Sequence, residues 1–156
     1  MAKHHYQVQV EWTGNTGSGT SSYKAYSRNH LVSAPLVPAI EASAAPAFLG
    51  DETRWDPEQL LVASVSQCHM LWCLHLAAQH GIVVKSYKDA AEGVMETEPS
   101  GAGQFSLIEL NPKVTISSGD PNLAQELHHK VPEFCFIARS LNFPVRHNPE
   151  IIAAYL

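Results

Sequence analysis

From Gln59 to Val84 the chain carries no Asp, Glu, Lys or Arg, and no other feature constrains the fold so strongly. Such a run is long enough to cross a bilayer. It also holds Gln59, Ser64, Ser66, Gln67, His69, His75, Gln79 and His80, a polar load that suits a protein core better than lipid. Its start is well marked. Asp56 is a good N-cap, Pro57 fits the first helical turn, and Gln59 stands where a capping box places Glu or Gln. Gly81 is a natural stop. The pattern predicts one helix over residues 57–80, about 36 Å long. Being apolar nearly all round, it should lie centrally.

The rest of the chain supplies what would wrap such a helix. YQVQVEW (6–12) alternates, with Tyr6, Val8, Val10 and Trp12 on one face, so a half-buried strand is expected. GNTGSG (14–19) reads as a turn and SSYKAYSRNHL (21–31) as the returning strand. Residues 33–55 are rich in Pro and Ala without a clear period, a loop long enough to have a role of its own. Residues 83–97 and 104–118 form a second hairpin around EPSGAG. Asp120-Pro121 opens a second helix, which Pro132 should end. FCFIARSL (134–141) reads as a short helix or turn, and NFPVRH (142–147) as a last strand. The order ββ–α–ββ–α–β describes one α+β domain over residues 1–156, antiparallel sheet on a central helix.

Composition narrows the function. Charged residues are only 16% against 45% hydrophobic, so much surface should be buried, a second copy being one way to do it. The net charge of −5 and the absence of a basic run exclude a nucleic-acid footprint. MAKHHYQVQVEW has no apolar signal core, and a cytoplasmic protein without a membrane partner is expected. Three cysteines without CxxC spacing do not make a secreted disulfide framework.

Cys68 is the first chemical candidate. A free cysteine in an apolar helix is often just core, and mid-helix there is no help from the dipole. Activation would need a nearby cation or donor. Cys135, after the Pro132 break, is the possible second thiol, and Cys73, about 140° round the helix from Cys68, reads as structural. The histidines suggest no metal site: HExxH is absent, and the His and Cys residues of the long helix do not read as an i, i+4 ligand set. His128 and His129 are adjacent and should point different ways. No cofactor is expected. GNTGSGT lacks the Lys of a phosphate loop, and no GxSxG elbow is present.

Three segments together resemble the OsmC/Ohr family, the osmotically inducible and organic hydroperoxide resistance proteins, and within it an OsmC-like subgroup. DPEQLLVASVSQCHM (56–70) is similar to the family's Asn-Pro-Glu…Cys segment, VPEFCFIARSLNFPV (131–145) to its second-cysteine segment, and WTGNTGSGT (12–20) to its first hairpin. The resemblance implies an intertwined homodimer with sheet wrapped around central helices. It implies a peroxidase that reduces organic hydroperoxides, with Cys68 as the attacking thiol and Cys135 as the resolving one. Glu58 would match the family's catalytic Glu, which orients an arginine beside the thiolate. An external dithiol, often a lipoyl group, would be the reductant. An apolar pocket from Leu71, Trp72, Phe134 and Phe136 would suit alkyl hydroperoxides. Glu58 and Cys68 are separated by about 15 Å of helical rise, so Glu58 is expected to serve the site across a dimer two-fold or through a long arginine.

Two departures from the family pattern stand out. The first hairpin turn has no arginine, which leaves Arg28 as first choice, Arg54 as second and Arg139 as third. Val131-Pro132 stands where the subgroup has Ala-His, which bears on resolution by Cys135. The alternative function is a dimer of the same fold that holds a small apolar or thiol-reactive ligand without turnover; a third is a structural dimer whose cysteines only pack.

Overall fold

A computed structural model describes residues 1–155. The backbone falls into two compact units, Met1–Leu60 and Leu61–Leu156. In the first, β1 (Gln9–Trp12), β2 (His30–Ser33) and β3 (Ile40–Ala42) form an antiparallel sheet in chain order. The returning strand expected over 21–31 is a correction: only His30 and Leu31 of it lie in β2. Local side-chain bonds hold the stretch before it as a loop. Asn15 Oδ1 accepts from the N–H groups of Gly17 and Gly19, each at 3.0 Å, and Thr16 Oγ1 donates to the Ala25 carbonyl at 2.8 Å. Such bonds offer the backbone an alternative to a ladder. β1 also departs from expectation. All four of its residues are exposed, Val10 at 64%. The long loop is ordered by β3, a 3₁₀ turn at Pro46–Phe48 and a bridge between Ala42 and Trp55.

The long helix α1 (Pro57–Gln79) starts and stops where its sequence signals lie. Asp56 Oδ1 accepts from the Gln59 N–H at 2.7 Å, and Gln59 Oε1 accepts from the Asp56 N–H at 3.2 Å, a reciprocal capping box. At the other end Gly81 takes φ +72°, and the Ile82 N–H reaches back to the Ala77 carbonyl at 2.9 Å.

The second unit holds two three-stranded sheets, β4-β7-β9 and β5-β6-β8. The expected second hairpin is present but broken midway into β4 (Val83–Asp89) and β5 (Glu92–Thr97) on one arm, β6 (Gly103–Leu110) and β7 (Pro112–Ser118) on the other. Asp89 fastens the break: one carboxylate oxygen accepts from the Asn111 N–H at 2.6 Å, the other from Ser66 Oγ of α1 at 2.5 Å. Gly93 lets β5 approach α1, since a Cβ there would stand 2.7 Å from Val62 Cγ2. Helix α2 (Pro121–Lys130) is capped by Asp120 and followed by a 3₁₀ turn at Val131–Glu133, the stop expected at Pro132. β8 (Val145–His147) and β9 (Glu150–Ala153) then pair in parallel with β6 and β7. Both sheets are therefore mixed, and β9 was not expected from the sequence.

The core of this unit joins Cys73, Leu76 and Ala77 of α1 to Val114 and Ile116 of β7, Ala124 and Leu127 of α2, and Val131 and Cys135 after it. A second cluster holds Val65, Ile108 and Leu110. By length and composition α1 would pass for a membrane span, with a mean hydropathy of 1.4 over its most apolar window. Its stripe Val65, His69, Cys73, Leu76 and Ala77 is buried in protein, while Gln67, Leu71 and His75 face outward.

Candidate functional site: two thiols beside an aromatic groove

Cys68 and Cys135 come from distant parts of the chain and meet. α1 holds Cys68 half-buried at the edge of the core. Cys135 lies beyond the turn that Pro132 starts, with its N–H bonded to the Val131 carbonyl at 2.9 Å. The departure Val131-Pro132 thus builds the turn that delivers this thiol: Val131 is buried in the core, and the chain reverses at once. Cys135 is 1% exposed. Burial, then the neighbouring Cys68 thiol, pushes Cys135 up to about 11, against the pull of the Ala138 and Ile137 N–H groups. It therefore stays protonated at neutral pH, and any attack by this sulfur requires the loss of that proton. All three cysteines are free.

Aromatic residues that neighbour the two cysteines in sequence gather together. Trp72 stacks on Phe134 with centroids 5.2 Å apart and meets Phe136 edge-on at 5.5 Å. A shallow groove of about 260 Å³ is lined by Leu71, Trp72, His75 and Phe136. Phe134 completes it as a backing for Trp72, so the four residues expected to form an apolar pocket are gathered, with His75 added.

The charged candidates sit differently. Glu58 lies in the first turn of α1, and its Oε2 is buried without a hydrogen-bond partner among the described residues. Arg28 is engaged within the first unit. Its guanidinium donates to the carbonyls of Tyr26 at 2.7 Å and Tyr23 at 2.5 Å, and lies over both tyrosine rings at 4.0 and 4.5 Å. Arg54 stands 3.8 Å from Asp51, and Arg139 donates to the Glu133 carbonyl at 2.7 Å.

Sequence reasoning passed over a third group. The expectation that the His and Cys residues of α1 hold no i, i+4 pair is corrected: His69 and Cys73 are four residues apart and share one face. Cys73 is indeed buried, as a structural cysteine should be, but its Sγ lies 3.1 Å from His128 Nδ1, and His69 Nε2 lies 3.1 Å from the same nitrogen. His128 and His129 do point different ways. His129 meets His147 at 3.0 Å, and the His147 ring stands 5.4 Å from that of His69. Burial pushes Cys73 up to about 12 and brings His69 down to about 3 and His128 to about 4.

Comparison with known proteins supplies the context. The family model described as OsmC-like protein matches residues 50–150. An OsmC-like protein of unknown function from Vibrio cholerae is 33% identical, with a TM-score of 0.83 over 96% of this chain and 100% of that one. An organic hydroperoxide resistance protein OsmC from Legionella pneumophila shares the fold at 15% identity, TM-score 0.66, over 97% of this chain and 99% of its own. The organic hydroperoxide resistance protein OhrB of Bacillus subtilis does so at 21% identity, TM-score 0.57, over 94% and 98%. No curated protein matches. The capped helix, the thiol pair, the order of elements and these matches lead to one conclusion: the chain is a member of the OsmC/Ohr family, with an OsmC-like α+β fold.

Proposed function

We propose that the protein is a thiol-dependent peroxidase that reduces organic hydroperoxides to alcohols in the cytoplasm. One observation carries the reading: the Cys68 thiol, from the middle of a helix, is a near neighbour of the Cys135 thiol, and Trp72 and Phe136, one turn on from the first and next in sequence to the second, line an open groove. A packing role alone does not call for two thiols brought close together from distant parts of the chain.

The reaction balances with these residues. The Cys68 thiolate attacks one oxygen of the substrate's O–O bond. The other oxygen leaves as alkoxide and takes a proton to give the alcohol. Cys68 is left as sulfenic acid. The Cys135 sulfur then attacks, its proton and the sulfenic hydroxyl leave as water, and a Cys68–Cys135 disulfide forms. An external dithiol, of which a lipoyl group is one kind, reduces that disulfide by exchange. The groove of Leu71, Trp72 and Phe136 favours an alkyl or aryl group over hydrogen peroxide. In this proposal residues 1–156 act as one domain in a homodimer, and Glu58 serves the site across the two-fold. Its partnerless Oε2 needs a donor, and an arginine would supply one while stabilising the thiolate. Arg28 is the assigned arginine, with Arg54 and Arg139 behind it.

A second reading rests on the way Arg28 is held. With its guanidinium bonded to Tyr23 and Tyr26, the chain would bind a small apolar or thiol-reactive ligand without turnover. One experiment separates the two. Reduced protein is treated with cumene hydroperoxide, and peroxide loss and intact mass are followed. The peroxidase consumes peroxide and loses the mass of its two thiol hydrogens, and Cys68→Ser abolishes both. Equal consumption by wild type and Cys68→Ser would exclude the mechanism; binding without consumption would establish the second reading.

A further inference from the structure

We propose that His69, Cys73 and His128 form a site for one zinc ion, with the Tyr87 hydroxyl or a water beside it as fourth ligand. The site uses neither Cys68 nor Cys135. It does not depend on the peroxidase reading.

The three donor atoms, His69 Nε2, Cys73 Sγ and His128 Nδ1, all lie within 4.8 Å of one another. Two edges of that triangle are 3.1 Å. Zinc–nitrogen bonds of about 2.05 Å at tetrahedral angles put two nitrogens roughly 3.3 Å apart, so the histidine edge needs almost no adjustment. Two ligands sit one turn apart on α1 and the third near the end of α2, so rigid elements hold all three. His69 and His128 are each 3% exposed and Cys73 is 6% exposed.

Hydrogen bonding alone leaves the cluster unsatisfied. His128 Nδ1 has a single lone pair or a single proton. It is 3.1 Å from two partners and serves one of them. The Tyr87 hydroxyl, beside Cys73, is buried and makes no well-directed hydrogen bond. Several buried polar atoms converging without enough partners mark a place where a further species belongs. A cavity of about 20 Å³ borders Cys73, Tyr87 and His128, room for about one water-sized species.

The donor set selects the ion. One thiolate and two imidazoles suit a borderline-soft divalent metal in tetrahedral geometry, not calcium or magnesium, which take oxygen ligands. Binding replaces the thiol proton, so one proton is released per ion. His129, exposed at the surface, and His147 form a chain of imidazoles that leads in to His69 and offers an entry path.

The test uses the reduced, chelator-stripped full-length protein and Co²⁺ as the probe. The site predicts one Co²⁺ per chain, a near-ultraviolet thiolate-to-cobalt charge-transfer band, strong visible bands of tetrahedral cobalt, and displacement of all of these by Zn²⁺. Cys73→Ser removes the charge-transfer band. His69→Gln and His128→Gln each weaken binding by more than about tenfold, the low end of what losing even an outer partner of a metal site costs. A Cys68→Ser, Cys135→Ser double variant keeps the band. Circular dichroism checks that each variant is folded, and if Cys73→Ser is not, the two histidine variants decide. No band in the wild type, a band that survives Cys73→Ser, or one that disappears in the double variant overturns the proposal.

Discussion

Three free cysteines in one small core differ because their surroundings differ. Cys68 is half-buried at the edge of the core, Cys135 is sealed under a turn, and Cys73 faces His128. Thiolate and access together set reactivity. Iodoacetamide at pH 8 should therefore label Cys68 first in the reduced protein, with Cys135 and Cys73 protected until the chain unfolds; peptide mapping reads the order. The raised Cys135 has a linked effect on stability. Its folded value of about 11 exceeds the ordinary thiol value, so the folded state holds its proton longer than the unfolded one. That contribution is complete below the unfolded value and is lost as pH rises towards the folded one. Melting temperature should fall over this alkaline window, and Cys135→Ala should flatten that part of the profile. After cumene hydroperoxide, Cys135→Ser should stop at a Cys68 sulfenic acid, trapped by dimedone and seen by mass.

Elements owe their ends to few residues. Asp56 satisfies an N–H of the first turn of α1, so Asp56→Ala should cost about 1 kcal/mol, or roughly 2–4 °C in melting temperature for a chain of this size. Thermal melts of the two proteins check it. Gly93 works differently, by closeness. Gly93→Val would drive a side chain into Val62 and Phe105 and should be the more damaging change, since β5 cannot then lie against α1. Both signals at the ends of α1 were readable from Asp56, Gln59 and Gly81, because capping depends on neighbours in sequence. The loop over 21–29 was not, because SSYKAYSRNHL has the composition of a strand while bonds such as those of Thr16 and Arg28 hold it elsewhere.

For the whole molecule, the uncovered apolar residues carry the expectation. Val10 on β1 is 64% exposed and Leu71 on α1 is 58% exposed in the single chain. Covering them with a second copy is the expectation to test. Light scattering should give twice the chain mass, Val10→Asp should shift it towards the monomer, and peroxide consumption should fall with dimer content if Glu58 acts across the two-fold. A fully active, stable monomer would remove that assignment.

The sequence by itself determined the long helix, its two ends, the α+β class, the family and the two thiols worth testing. These rest on local signals and on motifs whose spacing is written along the chain. Tertiary structure decided what distance in sequence conceals. It brought Cys135 to Cys68, paired β8 and β9 in parallel with β6 and β7, and kept the Arg28 guanidinium on its own tyrosines. It also turned Cys73 from core filling into one corner of a cluster with His69 and His128. The reason is physical: a contact between α1 and α2 depends on how two helices settle over a sheet, and no pattern within either helix records it.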